Sequence, residues 1–134
     1  MKYSADMYRD LPLIYACSGC SSAAQMANQI AVDLDREGVA EMSCIAGVGG
    51  DVAPLVRTAT SGRPVVVIDG CPLACARQCL KRHGVAPALH MELTSMGVRK
   101  QAHADYNRFE AATIKRTIKD AMHQMENAET TALR

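Results

Sequence analysis

Tryptophan is absent from this 134-residue chain, phenylalanine occurs once and tyrosine four times. Proteins that grip single-stranded nucleic acid stack bases on aromatic rings set among basic residues. This sequence has neither the rings nor a basic block to hold them. Charge of one sign is missing as well: 15 Lys and Arg stand against 14 Asp and Glu, a formal net charge of +1. No strong field remains to steer the chain towards nucleic acid or an anionic membrane. Apolar runs stop far short of the ~20 residues that a membrane-crossing helix needs. The opening MKYSADMYRDLPLIYA lacks the long apolar core of a secretory signal. No nucleic-acid partner and no membrane partner are therefore expected, and the expected compartment is the cytoplasm. Internal repeats, linkers and low-complexity tracts are absent too, which leaves one domain. Its 49% hydrophobic and 22% charged residues are ordinary for a soluble globular protein.

What the chain does have is cysteine, six in all. In a reducing compartment, grouped thiols read as metal ligands or redox groups before they read as structural disulfides. Their meaning depends on where the fold puts them.

Apolar runs and helical periods alternate along the chain. Residues 11–16 form a first apolar run, ending at CSGC, and read as a strand. Ser22 and Gln25 make a capping-box pattern. The helical recurrence of Ala23, Met26, Ala27, Ile30 and Leu34 follows, with Gly38 as its stop. Residues 41–46 read as a second strand, followed by a glycine-rich turn, GVGG, with Asp51 capping a second helix. The β-prone run PVVVID, residues 64–69, should be a central buried strand. Pro72 suits the first turn of a third helix that ends near Gly84. Residues 85–93 read as a fourth strand, placed at an edge by Pro87 and by its alternation. A last helix, residues 105–126, should bury Phe109, Ile114, Ile118, Met122 and Met125.

The order βαβαβαβα implies an α/β fold, a single three-layer domain with a four-stranded parallel sheet and helices on both faces. Right-handed crossovers, with the most apolar strands central, give the spatial order 2-1-3-4. Residues 1–10 then form an N-terminal arm, 11–126 the α/β domain and 127–134 a flexible tail that frays. Ligands of such sheets bind beyond the carboxyl ends of the strands, where the winding direction reverses.

The cysteines gather there. Cys17 ends the first strand, Cys44 lies near the end of the second and Cys71 follows the third. Neighbouring strand ends are about 5 Å apart, so these three thiols should form a row. Cys20 and Cys75 should approach from the first turns of two helices. Such a cluster suits Zn²⁺, which takes four ligands tetrahedrally with Zn–S about 2.3 Å. Helix-start N–H groups would offset part of the thiolate charge. An iron–sulfur cluster or Cu(I) accepts the same ligand type.

The segment VVVIDGCPLACARQCL contains Asp69, Gly70 and Cys71, and with YACSGCSSAAQMAN and CIAGVGG it resembles the DGC-domain family. The resemblance runs from about Leu11 to Met122, with three motifs in order. That family is described as having four cysteines with the potential to chelate zinc, and it has no assigned activity. Matched motif by motif, the resemblance implies Cys17, Cys44, Cys71 and Cys75 as ligands. Many members lack a cysteine at the position of Cys20, which makes it a fifth thiol or a substitute ligand.

Plainer readings compete at each position. Free cysteine is also a common small core residue. Cys79 reads best that way, since two helical turns beyond Cys71 is roughly 12 Å along an axis rising 1.5 Å per residue. CSGC also fits a C-x-x-C redox pattern. Cys71 to Arg77 has the spacing of a C-x5-R anion loop, but Pro72 removes one of the N–H groups such a loop needs. His83 reads as a partner of a helix C-terminus, His90 as a polar-face residue of the edge strand, and His103 and His123 as solvent-facing. Asp69 is a turn cap in the plain reading, and in the functional one a base or an acceptor that supports the metal's ligands from behind. GVGG is too short to be a dinucleotide fingerprint.

The leading expectation is a small cytoplasmic zinc-binding protein used for metal sensing, carriage or storage, since full thiolate coordination makes a closed site. One alternative is a thiol redox or sulfur-transfer enzyme using Cys17 and Cys71. The other is an interaction module that docks an unknown protein partner through the edge strand or the last helix.

Overall fold

The computed structural model describes residues 3–132, with side chains as far as residue 128. A short helix α1 (Ala5–Tyr8) leads into strand β1 (Leu13–Ala16) and helix α2 (Ser22–Arg36). Strand β2 (Glu41–Met42) and helices α3 (Ile45–Gly49) and α4 (Ala53–Ala59) follow. Strand β3 (Val65–Asp69), helix α5 (Cys75–Lys81), strand β4 (Leu89–Glu92) and the long helix α6 (Arg108–Ala132) complete the chain. The strands make one sheet in the order β2-β1-β3-β4, with every neighbouring pair parallel.

β1 and β3 are buried at every residue, as strands covered on both faces must be, and their unbroken apolar runs follow from that. Alternation divides their side chains between two cores. Ile14, Ala16, Val66 and Ile68 pack under α2 and α6, against Met26, Ile30, Ile118 and Met122. Leu13, Tyr15, Val65 and Val67 pack on the opposite face, against Val48 of α3, Ala59 of α4 and Leu80 of α5. Three layers result, as the order of elements implies.

Local departures from the sequence reading have identifiable causes. The second strand ends at Met42, and Ile45–Gly49 is helical rather than a strand end followed by a turn. The glycines there provide room. A Cβ on Gly47 would lie 1.9 Å from Leu55 Cδ1, and one on Gly49 3.0 Å from the Cys79 sulfur. Ser21, not Ser22, caps α2 by accepting the N–H of Ala24, while the Gln25 amide donates to the Gly19 carbonyl. Ser22 instead ties the segment after β4 to α2, accepting from the Gln101 N–H. Asp51 caps nothing; it takes a left-handed conformation (φ 60°) and pairs with Arg82 and His83. Phe109, expected in the core, is 86% exposed.

The N-terminal arm is tied down where Tyr8 Oη donates to the Asp35 carbonyl and the Arg63 guanidinium donates to the Tyr8 and Leu11 carbonyls. Helix α6 continues past Glu126 to Ala132; residues 133 and 134 of the expected tail lie outside the described residues.

Candidate functional site

The chemistry collects at the carboxyl edge of β1 and β3. The backbone ladder extends one residue beyond β1, the Cys17 N–H donating to the Ile68 carbonyl at 3.1 Å. This holds Cys17 beside the start of the loop that follows β3. Its sulfur accepts the Gly70 N–H at 3.1 Å. Burial pushes the Cys17 thiol above its ordinary 9.0, and the negative charges of Asp69, Cys71 and Cys75 push the same way against the Gly70 bond. Those contributions place Cys71 and Cys75 within electrostatic reach of Cys17.

Each residue of the Asp69-Gly70-Cys71 motif has a separate task. Asp69 is buried, 1% exposed, and its carboxylate accepts from the N–H groups of Ala76 and Arg77 at 2.9 and 3.2 Å. It caps α5 from the strand end, a role that the residue preceding the helix, Ala74, has no side chain to fill. His90 Nε2 lies 2.9 Å from the same carboxylate, so His90 is turned in towards Asp69 rather than set on a polar face. Gly70 leaves room for the first turn of α2: a Cβ there would stand 2.7 Å from the Ala24 nitrogen and 2.9 Å from its Cα. Cys71 then faces the cavity between the two helix starts, where Lys100 Nζ lies 3.3 Å from its sulfur.

That cavity has a volume of about 420 Å³. Cys17, Cys20, Cys71, Cys75 and Cys79 all line it, with Ile45, Ala46 and Leu73 among its apolar walls. Lys100 is the one charged side chain lining it among the described residues. Cys20 and Cys75 are exposed, and Cys17, Cys71 and Cys79 half-buried. Cys44 stands apart from this group. It precedes α3, is exposed, and lines a neighbouring cavity of about 350 Å³ with Asn28, Asp35 and Ser43. Ser18, Ile45 and Ala46 border both cavities. All six cysteines are free thiols. Among the described residues, no three cysteine, histidine or carboxylate side chains are already set to hold a metal ion.

Four of the five cysteines expected at the site thus share one cavity, and Cys79 joins them although helical rise had set it aside. A separation of roughly 12 Å along the axis requires a helix running from Pro72. Instead residues 71–74 form a turn, with the Ala74 N–H donating to the Cys71 carbonyl and Ala74 at φ 50°, and α5 starts only at Cys75. Cys75 and Cys79 are then one helical turn apart and both reach the cavity. That i,i+4 spacing was visible in the sequence. Lys100 carried no signal, since it lies in irregular chain after β4.

A larger cavity, about 670 Å³, lies around Tyr3, Tyr8, Arg36 and Glu41, and no cysteine or histidine lines it among the described residues. No helix among the described residues is long and apolar enough to cross a membrane.

A family model described as DGC domain matches residues 13–120. A Pseudomonas aeruginosa protein named anaerobic and virulence modulator AnvM is 60% identical over 95 residues, covering 71% of this chain and 72% of that protein. No solved structure matches the chain significantly. The chain belongs to the DGC-domain family.

Proposed function

We propose that this DGC-domain protein binds zinc through cysteine thiolates at the carboxyl edge of its sheet, and that it senses, carries or stores the metal in the cytoplasm. One observation carries the reading: five thiols line a single cavity where two helices begin beyond adjacent strands. Cys17, Cys71 and Cys75 supply three sulfurs. The fourth comes from Cys20 in the same cavity, or from Cys44 across the border formed by Ser18, Ile45 and Ala46. The donors suit the ion chemically, because thiolate is the ligand of closed, structural or storage zinc sites. Groups that favour anionic sulfur are at hand: the Gly70 N–H on Cys17 and the Lys100 ammonium beside Cys71. Zinc, when bound, supplies a closed centre with no redox chemistry of its own.

Loading such a site displaces protons from the thiols, so affinity rises with pH. Because burial raises the Cys17 thiol, its share of this dependence extends to higher pH. The Pseudomonas aeruginosa relative is named a modulator, which accords with a sensing role for this chain. A series replacing each of the six cysteines by Ser, read by zinc content per chain, tests the ligand set. Loss of metal in the Cys17, Cys71 and Cys75 variants is expected. Undiminished zinc in any of those three would remove that residue from the set.

The contact between Lys100 and Cys71 favours a second reading, a thiol redox or sulfur-transfer protein with Cys71 as nucleophile and Cys17 as resolving thiol. Metal-free protein with one cysteine alkylated far faster than the rest would support it over zinc.

A further inference from the structure

Zinc uses four sulfurs at most, and whichever of Cys20 and Cys44 is the fourth, Cys79 on the cavity wall is left without a role. Cys79 lies four residues after Cys75 on α5, a spacing that puts Cβ atoms about 5–6 Å apart on one face of a helix. Both residues line the cavity. The Cys79 sulfur is seated against the backbone of α3, at a point 3.0 Å from where Gly49 would carry a Cβ. Both side chains border one cavity from one face of α5, so their sulfurs can be offered to the same ion. The neighbouring walls are apolar, and Lys100 is available to balance a single negative charge.

We propose that Cys75 and Cys79 form a two-thiolate site for Cu(I), a binding capacity separate from the zinc reading. Soft thiolates suit Cu(I) as they do zinc, but Cu(I), unlike zinc, is satisfied by two sulfurs in a near-linear arrangement. Two thiols give up their protons and Cu⁺ takes their place, leaving a bis-thiolate of net charge −1 and releasing two protons to solvent. No electron is transferred. A lone pair of thiols holds zinc poorly, because zinc requires four ligands. Cys75 is shared with the proposed zinc set, so the two ions compete for that sulfur while Cys79 serves Cu(I) only.

The test is an anaerobic competition using the full chain, reduced and freed of metal. Cu(I) is supplied as its bicinchoninate complex, and transfer to the protein is read from the loss of the chelator's colour. Wild type and the Cys17→Ser variant are expected to withdraw the first equivalent equally well. Cys75→Ser and Cys79→Ser should each weaken that transfer by on the order of 100-fold. Cys79→Met, which keeps a soft sulfur donor, should recover part of the loss, and this holds even if the serine variant is destabilised. Gly49→Ala, which crowds the Cys79 sulfur, should weaken Cu(I) without changing zinc content.

Zinc content, measured on the same proteins, separates the two readings: Cys17→Ser should lose zinc and keep Cu(I), and Cys79→Ser should do the reverse. Cys79→Ser and Cys79→Met both withdrawing Cu(I) as well as wild type would overturn the site. So would Cys17→Ser and Cys79→Ser losing Cu(I) together, which would place the ion in a general thiol cluster.

Discussion

Asp69, Gly70 and Cys71 are adjacent in sequence and divide three tasks between them. The sequence alone suggested a cap for Asp69, and its carboxylate does cap a helix, though one beginning six residues later. Its contact with His90 could not be read, because it depends on the register that sets Val67 beside His90 across β3 and β4. Replacing Asp69 by Ala would leave the buried Ala76 N–H, the part-buried Arg77 N–H and the His90 imidazole without this partner. A loss of about 1–3 kcal/mol of stability is expected, read as a lowered urea midpoint at unchanged m. Gly70→Ala should cost a similar ~1–3 kcal/mol through overpacking, because the atoms it meets are backbone of α2 that cannot rotate aside. A Gly70→Ala variant as stable as wild type would contradict the close approach of α2. The thiols at strand ends were legible because a strand end fixes position, whereas Lys100 and the seat of Cys79 on Gly49 depend on contacts between segments far apart in the chain.

At the scale of elements, apolar runs and helical periods located nearly everything that carries two-sided burial. They failed where a short segment has little periodicity to offer. α3 is five residues long, and its glycines suggested a turn, although in the fold they let Leu55 and Cys79 approach the helix. Phe109 was assigned to the core on hydrophobicity, yet it opens α6 on the outward side, while Ile114, Ile118 and Met122 make the contact. Helix α6 is also fastened by charge. Lys115 and Lys119 reach Glu37 at 2.8 and 2.9 Å. Their hydrogen bonds hold the Glu37 carboxyl below its ordinary 4.5. A depressed carboxylate stabilises the fold above its unfolded pKa, and that contribution is lost as pH falls through the lower folded value. Glu37→Gln should therefore cost at most about 1 kcal/mol near neutral pH, since the group is solvent-screened. The deficit should shrink below about pH 4.5 and vanish once wild-type Glu37 is itself protonated. Thermal midpoints of both proteins across that range check this, and a deficit that grew on acidification would refute the sign.

The whole molecule follows from a simple rule of parallel sheets. Central strands are buried on both sides and their carboxyl ends open between helices, so residues placed just after β1 and β3 must meet. The parallel strand order was legible from the sequence, and with it the meeting of the residues that follow β1 and β3. What it could not give was how far each thiol reaches. Cys44, expected in the row, faces the adjoining cavity because β2 ends early and α3 begins at once. The most direct test of the proposed thiolate centre is metal analysis of the full chain purified without chelator, paired with a titration of reactive thiols before and after metal removal. The account predicts about one zinc per chain and about four thiols that become reactive only when the zinc is withdrawn. A metal-free chain whose thiols all react at once, and which takes up no zinc when it is offered, would contradict it.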